Sequence, residues 1–159
     1  MWDAVPEHPP WEQIISSPLS RCHKFAEALA DTLNIEFSIN DNLKEIGFGS
    51  WEGRTPEDIK NNEGDALERF LKDPVNNRPT GAEPLNDFAD RVWTAYQSIA
   101  SEYPGQHVLI IAHAGVIRAI TSKILRMSLD NVYSRLKIEY AAIASTEVTT
   151  GKAPVMLLK

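Results

Sequence analysis

Apolar residues recur with two different periods along this chain, and the alternation of these periods predicts strands and helices in turn. Val108 to Ile111 are four consecutive aliphatic residues, a run typical of a strand buried on both faces of a parallel sheet. Residues 19–33 and 85–103 instead repeat apolar side chains every three or four positions, which predicts amphipathic helices. Alternating strands and helices of this kind favour an α/β protein.

The weaker patterns complete the predicted order of elements. Strands are expected near residues 13–16, 35–39, 108–112, 136–147 and 153–158, and helices near 19–33, 56–71, 85–103 and 116–126. Thr55 is the expected N-cap of the second helix, which Asn61-Asn62-Glu63-Gly64 interrupts. We predict a three-layer sandwich in which helices flank a mixed, mostly parallel sheet.

Composition narrows the classes of function. The chain has 159 residues, of which 43% are apolar, enough for the core of one domain; its net charge of −6 argues against nucleic-acid binding. It contains no apolar run of membrane-spanning length and no signal-peptide pattern. A single cysteine forms no internal disulfide and no metal-ligand pair. We therefore expect a cytoplasmic protein without a cofactor or metal, and with neither nucleic acid nor membrane as partner.

Side chains suited to anion binding follow two of the predicted strands. His113 comes directly after the strand at 108–112, where ligands bind in open α/β sheets. Ala114 and the glycine after it would let backbone N–H groups of the next helix approach an anion. Arg21 follows the first strand and could grip a phosphate bidentately. Taken singly, His113 could instead be a structural cap and Arg21 a solvated helix residue.

Two further segments flank these residues. Ser16 and Ser17 are candidate N-caps of the first helix, with Pro18 in its first turn. Residues 43–54 interleave three glycines with two aromatic anchors, which predicts a long, firmly held loop. Loops held this firmly tend to present a functional side chain, and Glu45 is the candidate in this loop. The alternative interpretation is that Glu45 is an ordinary surface carboxylate.

Four segments resemble, in order, the motifs of the histidine phosphatase (phosphoglycerate mutase-like) superfamily. They are Ser16-Ser17-Pro18-Leu19-Ser20-Arg21, Leu43-x-Glu45-x-x-Phe48-Gly49-x-Trp51-Glu52-Gly53, Pro79-Thr80-Gly81-Ala82-Glu83 with a helix through Arg91, and Ala112-His113-Ala114-Gly115-Val116-Ile117-Arg118. The second motif is similar to the loop of α-ribazole phosphatases. The resemblance implies that Glu45 is a proton donor and that His113 is the second histidine of the catalytic site. It also implies that Arg21, His113 and the Ala114 N–H bind phosphate.

The resemblance also implies that one catalytic block is missing. Members of the superfamily begin with a strand ending in Arg-His-Gly, whose histidine is the nucleophile, and no Arg-His-Gly occurs in this sequence. The residues before Ile14 leave no room for that strand and its helix. We therefore interpret residues 1–159 as a single, N-terminally truncated domain without the first, central strand, shortened by gene truncation or a misplaced start codon. His8, His23 and His107 are expected to be ordinary surface histidines.

Three functional hypotheses follow, and we favour the first. It is a phosphomonoesterase of the histidine phosphatase family with little or no activity in this chain, because the nucleophile is absent. The second is a non-catalytic protein that binds a phospholigand or another partner on the remnant fold. The third is an unrelated α/β domain, such as a flavodoxin-like module. A phosphatase is favoured over a mutase, because residues 54–80 offer few basic side chains.

The expected partners follow from the same reasoning. The ligand is a small phosphorylated molecule or inorganic phosphate. In the superfamily the first strand lies beside the strand that ends in His113, so its loss would leave unpaired edges on an apolar surface. Such edges recruit another chain or aggregate. We therefore expect that the gap closes by rearrangement or that two chains pair through it, and we favour a homodimer formed by strand exchange.

Overall fold

Three parallel strands form the centre of the molecule in a computed structural model, which describes residues 1–157. They are β1 (Gln13–Ser16), β2 (Glu36–Ile39) and β3 (Val108–Ile111), in the spatial order β2-β1-β3. A separate antiparallel pair consists of β4 (Ser145–Glu147) and β5 (Val155–Leu157). The mostly parallel, mixed character predicted for the strands is therefore observed, although the strands are divided between two sheets.

Helices follow the strands and cover both faces of the three-stranded sheet. They are α1 (Ser20–Leu33), α2 (Pro56–Glu63), α3 (Ala66–Lys72), α4 (Leu85–Glu102), α5 (Ala114–Leu125) and α6 (Leu129–Arg135). Thr55 caps α2 through a capping box with Asp58, and Gly64, at φ 60°, separates α2 from α3 where the sequence predicts an interruption. None of the helices in residues 1–157 is long and apolar enough to cross a membrane.

The core has two halves, one on each face of the sheet. Successive strand residues point to opposite faces, so Ile14 packs with α1 while its neighbour Ile15 packs with α4 and α5. Phe88 of α4 is fully buried and is among the largest side chains in the half of the core that contains Ile15. The three layers agree with the predicted α/β sandwich.

Several local predictions differ from the structure. Ser16 and Ser17 do not cap α1, whose N-cap is Leu19 and lacks a side-chain hydrogen bond, because both serines are fully buried at the end of β1. α6 is not predicted by the sequence pattern, because the helix buries only Val132 and therefore shows no apolar period. Most of the strand expected at 136–147 is irregular, because α6 ends just before it, at Arg135, and β4 forms only at its end.

A slot interrupts the plane of the sheet between β3 and β4. It is a cavity of about 800 Å³, lined on one side by β3 and on the other by residues 138–147. Among the described strands, β3 pairs only with β1 and β4 pairs only with β5. The expected unpaired edge is therefore present, and no rearrangement of these strands closes it. The expected homodimer stays a prediction.

Candidate active site

His113 lies at the carboxyl end of β3, as the N-cap of α5, and is only 7% exposed. Arg21 Nε donates a hydrogen bond of 3.2 Å to its Nδ1 atom, and Ser17 Oγ lies 2.7 Å from its Nε2 atom. Because Nδ1 accepts, the proton of a neutral ring is on Nε2, which donates to Ser17 Oγ. Two contacts from the β1–α1 unit thus fix both the orientation and the tautomer of this imidazole.

The same surroundings keep the imidazole uncharged. Burial, and secondarily the neighbouring Arg21 guanidinium, lower the pKa of His113 from 6.5 to about 4. At neutral pH the ring is therefore neutral, and Arg21 is the positive side chain beside it. An anion placed next to both would favour protonation of the ring, so anion binding and proton uptake are coupled here.

Cys22 packs against the same imidazole from the next position of α1. Its Sγ donates to Ala112 O at 3.3 Å and lies 3.7 Å from both nitrogens of His113. Burial raises the pKa of the Cys22 thiol, although the Arg21 charge opposes this effect. The neutral thiol is therefore a packing partner of the histidine, not an activated nucleophile.

Glu45 reaches this end of the sheet from the loop that follows β2. Its Oε2 accepts a hydrogen bond of 3.2 Å from Gly115 N, in the first turn of α5, and its Oε1 accepts one from Ile46 N at 3.0 Å. A Cβ atom at position 115 would lie 2.2 Å from Glu45 Oε1. The glycine therefore permits the close approach of the carboxylate to the positive end of α5.

Arg91 of α4 holds the loop that presents Glu45. Its guanidinium forms a two-pronged ion pair with Glu83, with Nε to Oε1 at 2.6 Å and Nη2 to Oε2 at 2.8 Å. Its Nη1 donates to the backbone oxygens of Asn42 and Lys44 at 2.7 and 2.9 Å. Burial alone would raise the pKa of Glu83, but the Arg91 contact outweighs it and lowers the pKa.

The structure brings together all four residues that the sequence singled out. Arg21, Glu45, His113 and Ala114 line the same end of the slot. Arg21 is largely exposed, and no hydrogen-bond partner of its two Nη atoms occurs within residues 1–157. His8 and His107 are exposed, and His23 lies within hydrogen-bond distance of Pro18 O.

Sequence reasoning missed the contact of Ser17 with His113. The signal available was a polar pair directly after a buried strand, but that pattern suits a helix cap equally well. Across the described part of the chain, no three His, Cys, Asp or Glu side chains are grouped as a metal site requires.

This arrangement is chemically suited to a phosphoryl group. It combines a guanidinium with unoccupied donors, a neutral histidine, the N-terminal end of a twelve-residue helix and a nearby carboxylate. The guanidinium and the helix N-terminus bind anionic oxygens directly, and the Nε2–H of His113 can do so when it leaves Ser17 Oγ. The carboxylate can exchange a proton with a leaving oxygen.

Comparison with known proteins gives a consistent result. The profile of the histidine phosphatase superfamily (branch 1) matches residues 4–159. The bifunctional protein Rv2228c of Mycobacterium tuberculosis is 31% identical over 137 residues, which are 84% of this chain but 36% of that protein. The adenosylcobalamin/alpha-ribazole phosphatase of Salmonella typhimurium is 23% identical over 151 residues, 95% of this chain and 74% of that protein.

Solved structures show the same fold. YhfR of Bacillus stearothermophilus superposes with a TM-score of 0.87 at 25% identity, covering 96% of this chain and 75% of the other. The chain thus spans about a third of the length of the first curated relatives that it matches, and three quarters of this structural neighbour.

Proposed function

Since the chain belongs to the histidine phosphatase superfamily, branch 1, we propose that it serves phosphomonoester hydrolysis and that residues 1–159 form the phosphate-binding part of the site. The observation that carries this proposal is the Arg21–His113 hydrogen bond at the N-terminus of α5, beside Glu45. The substrate is a small phosphomonoester. The likeness to α-ribazole phosphatases supports a phosphatase over a mutase.

Each residue has a distinct role in this proposal. The Nη atoms of Arg21, the His113 ring and the Ala114 N–H bind the phosphoryl oxygens. Glu45 protonates the leaving oxygen of the ester, and His113 stabilises the charge that develops on phosphorus oxygens during transfer. Glu45 and His113 are thus the catalytic residues, and Arg21, His113 and Ala114 the phosphate ligands.

We propose further that these residues alone turn over little or no substrate. No Arg-His-Gly occurs in the sequence. His8 and His107 are exposed, and the His23 ring lies within hydrogen-bond distance of Pro18 O, whereas His113 is the histidine that Arg21 contacts. Removal of a nucleophile from a cooperative site removes nearly all covalent chemistry. The same facts support the proposal that residues 1–159 are a shortened form of one histidine phosphatase domain.

The second candidate is a non-catalytic protein that binds a phospholigand. The specific observation in its favour is that the anion-binding groups are in place although no nucleophile accompanies them. Binding without turnover is expected under both candidates for this polypeptide. They differ when a nucleophile is supplied, because only the first then predicts hydrolysis.

The test of the site measures phosphate binding and turnover separately. Inorganic phosphate or vanadate at millimolar concentration should raise the melting temperature of the wild-type chain. Arg21→Ala and His113→Ala should abolish this rise, whereas Glu45→Gln should leave most of it. His8→Ala and Arg135→Ala, at exposed positions, are the matched controls and should behave as wild type.

Two outcomes would contradict the proposal. The first is an absence of any phosphate- or vanadate-dependent shift, which would mean that the Arg21–His113 pair binds no anion. The second is rapid hydrolysis of an aryl phosphate by the wild-type chain, which would show that a nucleophile exists among its own residues. His8 and His113 would then be the residues to replace first.

A homodimer formed by strand exchange and a cytoplasmic location remain proposals as well. The open edge of β3 supports the first, and the single free cysteine, Cys22, is compatible with the second. Sedimentation equilibrium tests the dimer directly. A monodisperse monomer at high protein concentration would contradict it.

A further inference from the structure

Two buried polar atoms near Glu45 have no part in the phosphate site described above. Within residues 1–157, Arg78 Nη1 and the Tyr133 hydroxyl oxygen are buried and have no hydrogen-bond partner. A buried polar group without a partner costs free energy, and such groups are therefore rare in folded proteins. Two of them in one region of the molecule therefore need an explanation.

Arg78 is fixed to the loop that presents Glu45. Its Nη2 donates a hydrogen bond of 2.9 Å to Gly47 O, two residues after Glu45, and its Nε donates one of 3.2 Å to Glu83 O. Its guanidinium carbon lies 4.7 Å from the centre of the Phe48 ring. Because the guanidinium is planar and rigid, these contacts also fix the direction in which Nη1 points.

Tyr133 of α6 lies beside the helix turn that holds Glu45. The Glu45 carboxylate accepts a hydrogen bond from Gly115 N, and Arg118 follows three residues later, on the same face of α5. The guanidinium carbon of Arg118 lies 5.3 Å from the centre of the Tyr133 ring. The carboxylate and the phenol are thus brought to the same side of α5.

The electrostatic environment of Tyr133 agrees with this placement. Burial and the charge of Glu45 raise the pKa of Tyr133, as does Glu83 to a smaller extent. The guanidinium groups of Arg118 and Arg78 lower it, but the pKa stays above its ordinary value. The phenol therefore keeps its proton at neutral pH and can donate it in a hydrogen bond.

The two unpaired atoms have complementary hydrogen-bonding properties. A guanidinium nitrogen can only donate, whereas a hydroxyl group can accept one hydrogen bond and donate another. Arg78 Nη1 can therefore donate to the Tyr133 oxygen, which leaves the Tyr133 proton for the carboxylate of Glu45. A chain of these three groups, in this order, gives both buried atoms a partner.

We propose that Tyr133 is a positioning residue for Glu45: its hydroxyl group, held by Arg78 Nη1, donates a hydrogen bond to the Glu45 carboxylate. Hydrogen bonds of catalytic groups are often long without substrate and shorten when it binds. The inference rests on the proposed function, in which Glu45 protonates the leaving oxygen. A donor to the ionised carboxylate favours loss of the Glu45 proton, so Tyr133 would both orient Glu45 and assist this transfer.

The test follows the carboxyl carbon resonance of Glu45 by NMR while the pH is varied. Tyr133→Phe removes the hydroxyl group and keeps the ring. It should move the titration of this resonance to higher pH, because the ionised carboxylate loses a donor. Tyr140→Phe removes the same group from a ring that is 82% exposed. It is the matched control and should leave the titration unchanged.

A second pair of variants tests whether Arg78 acts through the hydroxyl group. Arg78→Lys keeps a positive charge but loses Nη1, and it should also move the Glu45 titration to higher pH. In the Tyr133→Phe background the same change should have a smaller effect, because the group that links Nη1 to Glu45 is gone. Equal effects in both backgrounds would overturn the chain from Arg78 to Glu45.

A measurement on the wild-type chain does not depend on the folding of any variant. A buried, hydrogen-bonded hydroxyl proton exchanges slowly with water. In an equal mixture of H₂O and D₂O, slow exchange splits the Cζ resonance of a tyrosine into two lines. Tyr133 should show two lines and Tyr140 one. A single line for Tyr133 would overturn the inference.

The remaining outcomes separate this inference from the proposed function. A Glu45 titration that is unchanged in Tyr133→Phe, or that moves to lower pH, would overturn the inference. The vanadate-dependent melting shift is measured on the same samples and should persist in Tyr133→Phe, because Arg21 and His113 bind the anion. A melting shift with an unchanged titration leaves the proposed function standing. A changed titration without a melting shift in any sample removes the function and leaves Tyr133 as a partner of Glu45.

Discussion

β1 and β3 are neighbouring strands with nearly the same design and different surroundings. Each is a four-residue strand that leads toward a helix carrying part of the candidate site, and Ile15 lies directly opposite Ile110 in their parallel register. β1 has a partner on both edges and is wholly buried, whereas β3 has one partner and is mostly half-buried. The sequence of a strand thus indicates how much burial the strand needs. It does not show whether this chain supplies a neighbour on both edges of that strand.

The polar residues that follow the two strands differ in their surroundings in the same way. The closed β1 side contributes Ser17 and Arg21, which are fixed by the continuous sheet around them. The β3 side contributes His113, whose strand faces the slot. The candidate site therefore combines residues that follow β1, which is paired on both edges, with residues that follow β3, which is paired on one edge. The following predictions test this difference.

The largest expected effect compares the two opposed isoleucines. Ile15→Ala should lower the free energy of unfolding by about 3–4 kcal/mol, because Ile15 is fully buried between partners on both sides. Ile110→Ala should cost only about 1–2 kcal/mol, because its side chain already meets the open slot. Urea denaturation of the two variants measures both values. Equal losses would show that β3 is as well packed as β1 in solution.

The next effect concerns the histidine at the end of β3. The pKa of His113 is about 4 in the folded chain, and its unperturbed value, expected in the unfolded chain, is 6.5. Between these values the unfolded state binds more protons, so stability is lost as the pH falls from 6.5 to 4, by about 2–3 kcal/mol. His113→Gln should remove this part of the pH dependence. A wild-type slope that persists in the variant would assign it to other groups.

A smaller effect is expected from the anchor of the Glu45 loop. Arg91→Lys keeps the charge but loses the fork that binds Glu83 and two backbone oxygens, so stability should fall by about 1–2 kcal/mol. Lys123→Arg, at an exposed ion pair with Asp90, is the control and should change little. Thermal denaturation distinguishes them. Equal behaviour would mean that the loop does not depend on the fork.

The smallest effect on stability is expected at Gly115. Alanine favours a helix by about 1 kcal/mol over glycine, but a Cβ here would displace the Glu45 carboxylate. Gly115→Ala should therefore leave stability within about 1 kcal/mol of wild type and still shift the carboxyl carbon resonance of Glu45. Gly47→Ala, with no contact closer than 4.0 Å, should leave that resonance in place. An unchanged resonance in both would contradict the close approach.

Much of this architecture could be predicted from the local pattern of apolar residues, as β3 and α4 illustrate. The apolar run of β3 and the period of α4 are long enough to identify each element, and the motif order places Arg21, Glu45, His113 and Ala114 together. α6 could not be predicted, because one buried valine leaves no period. The Ser17–His113 contact depends on residues 96 apart in sequence, which no local pattern encodes.

The position of Cys22 gives the molecule its own optical reporter. The chain has one cysteine, and its thiol donates to Ala112 O while touching the His113 ring. The S–H stretching band lies in an infrared window that other protein groups leave empty, and its frequency follows the strength of the hydrogen bond. A single thiol band should therefore report, without a label, whether a bound anion has changed the electric field at His113.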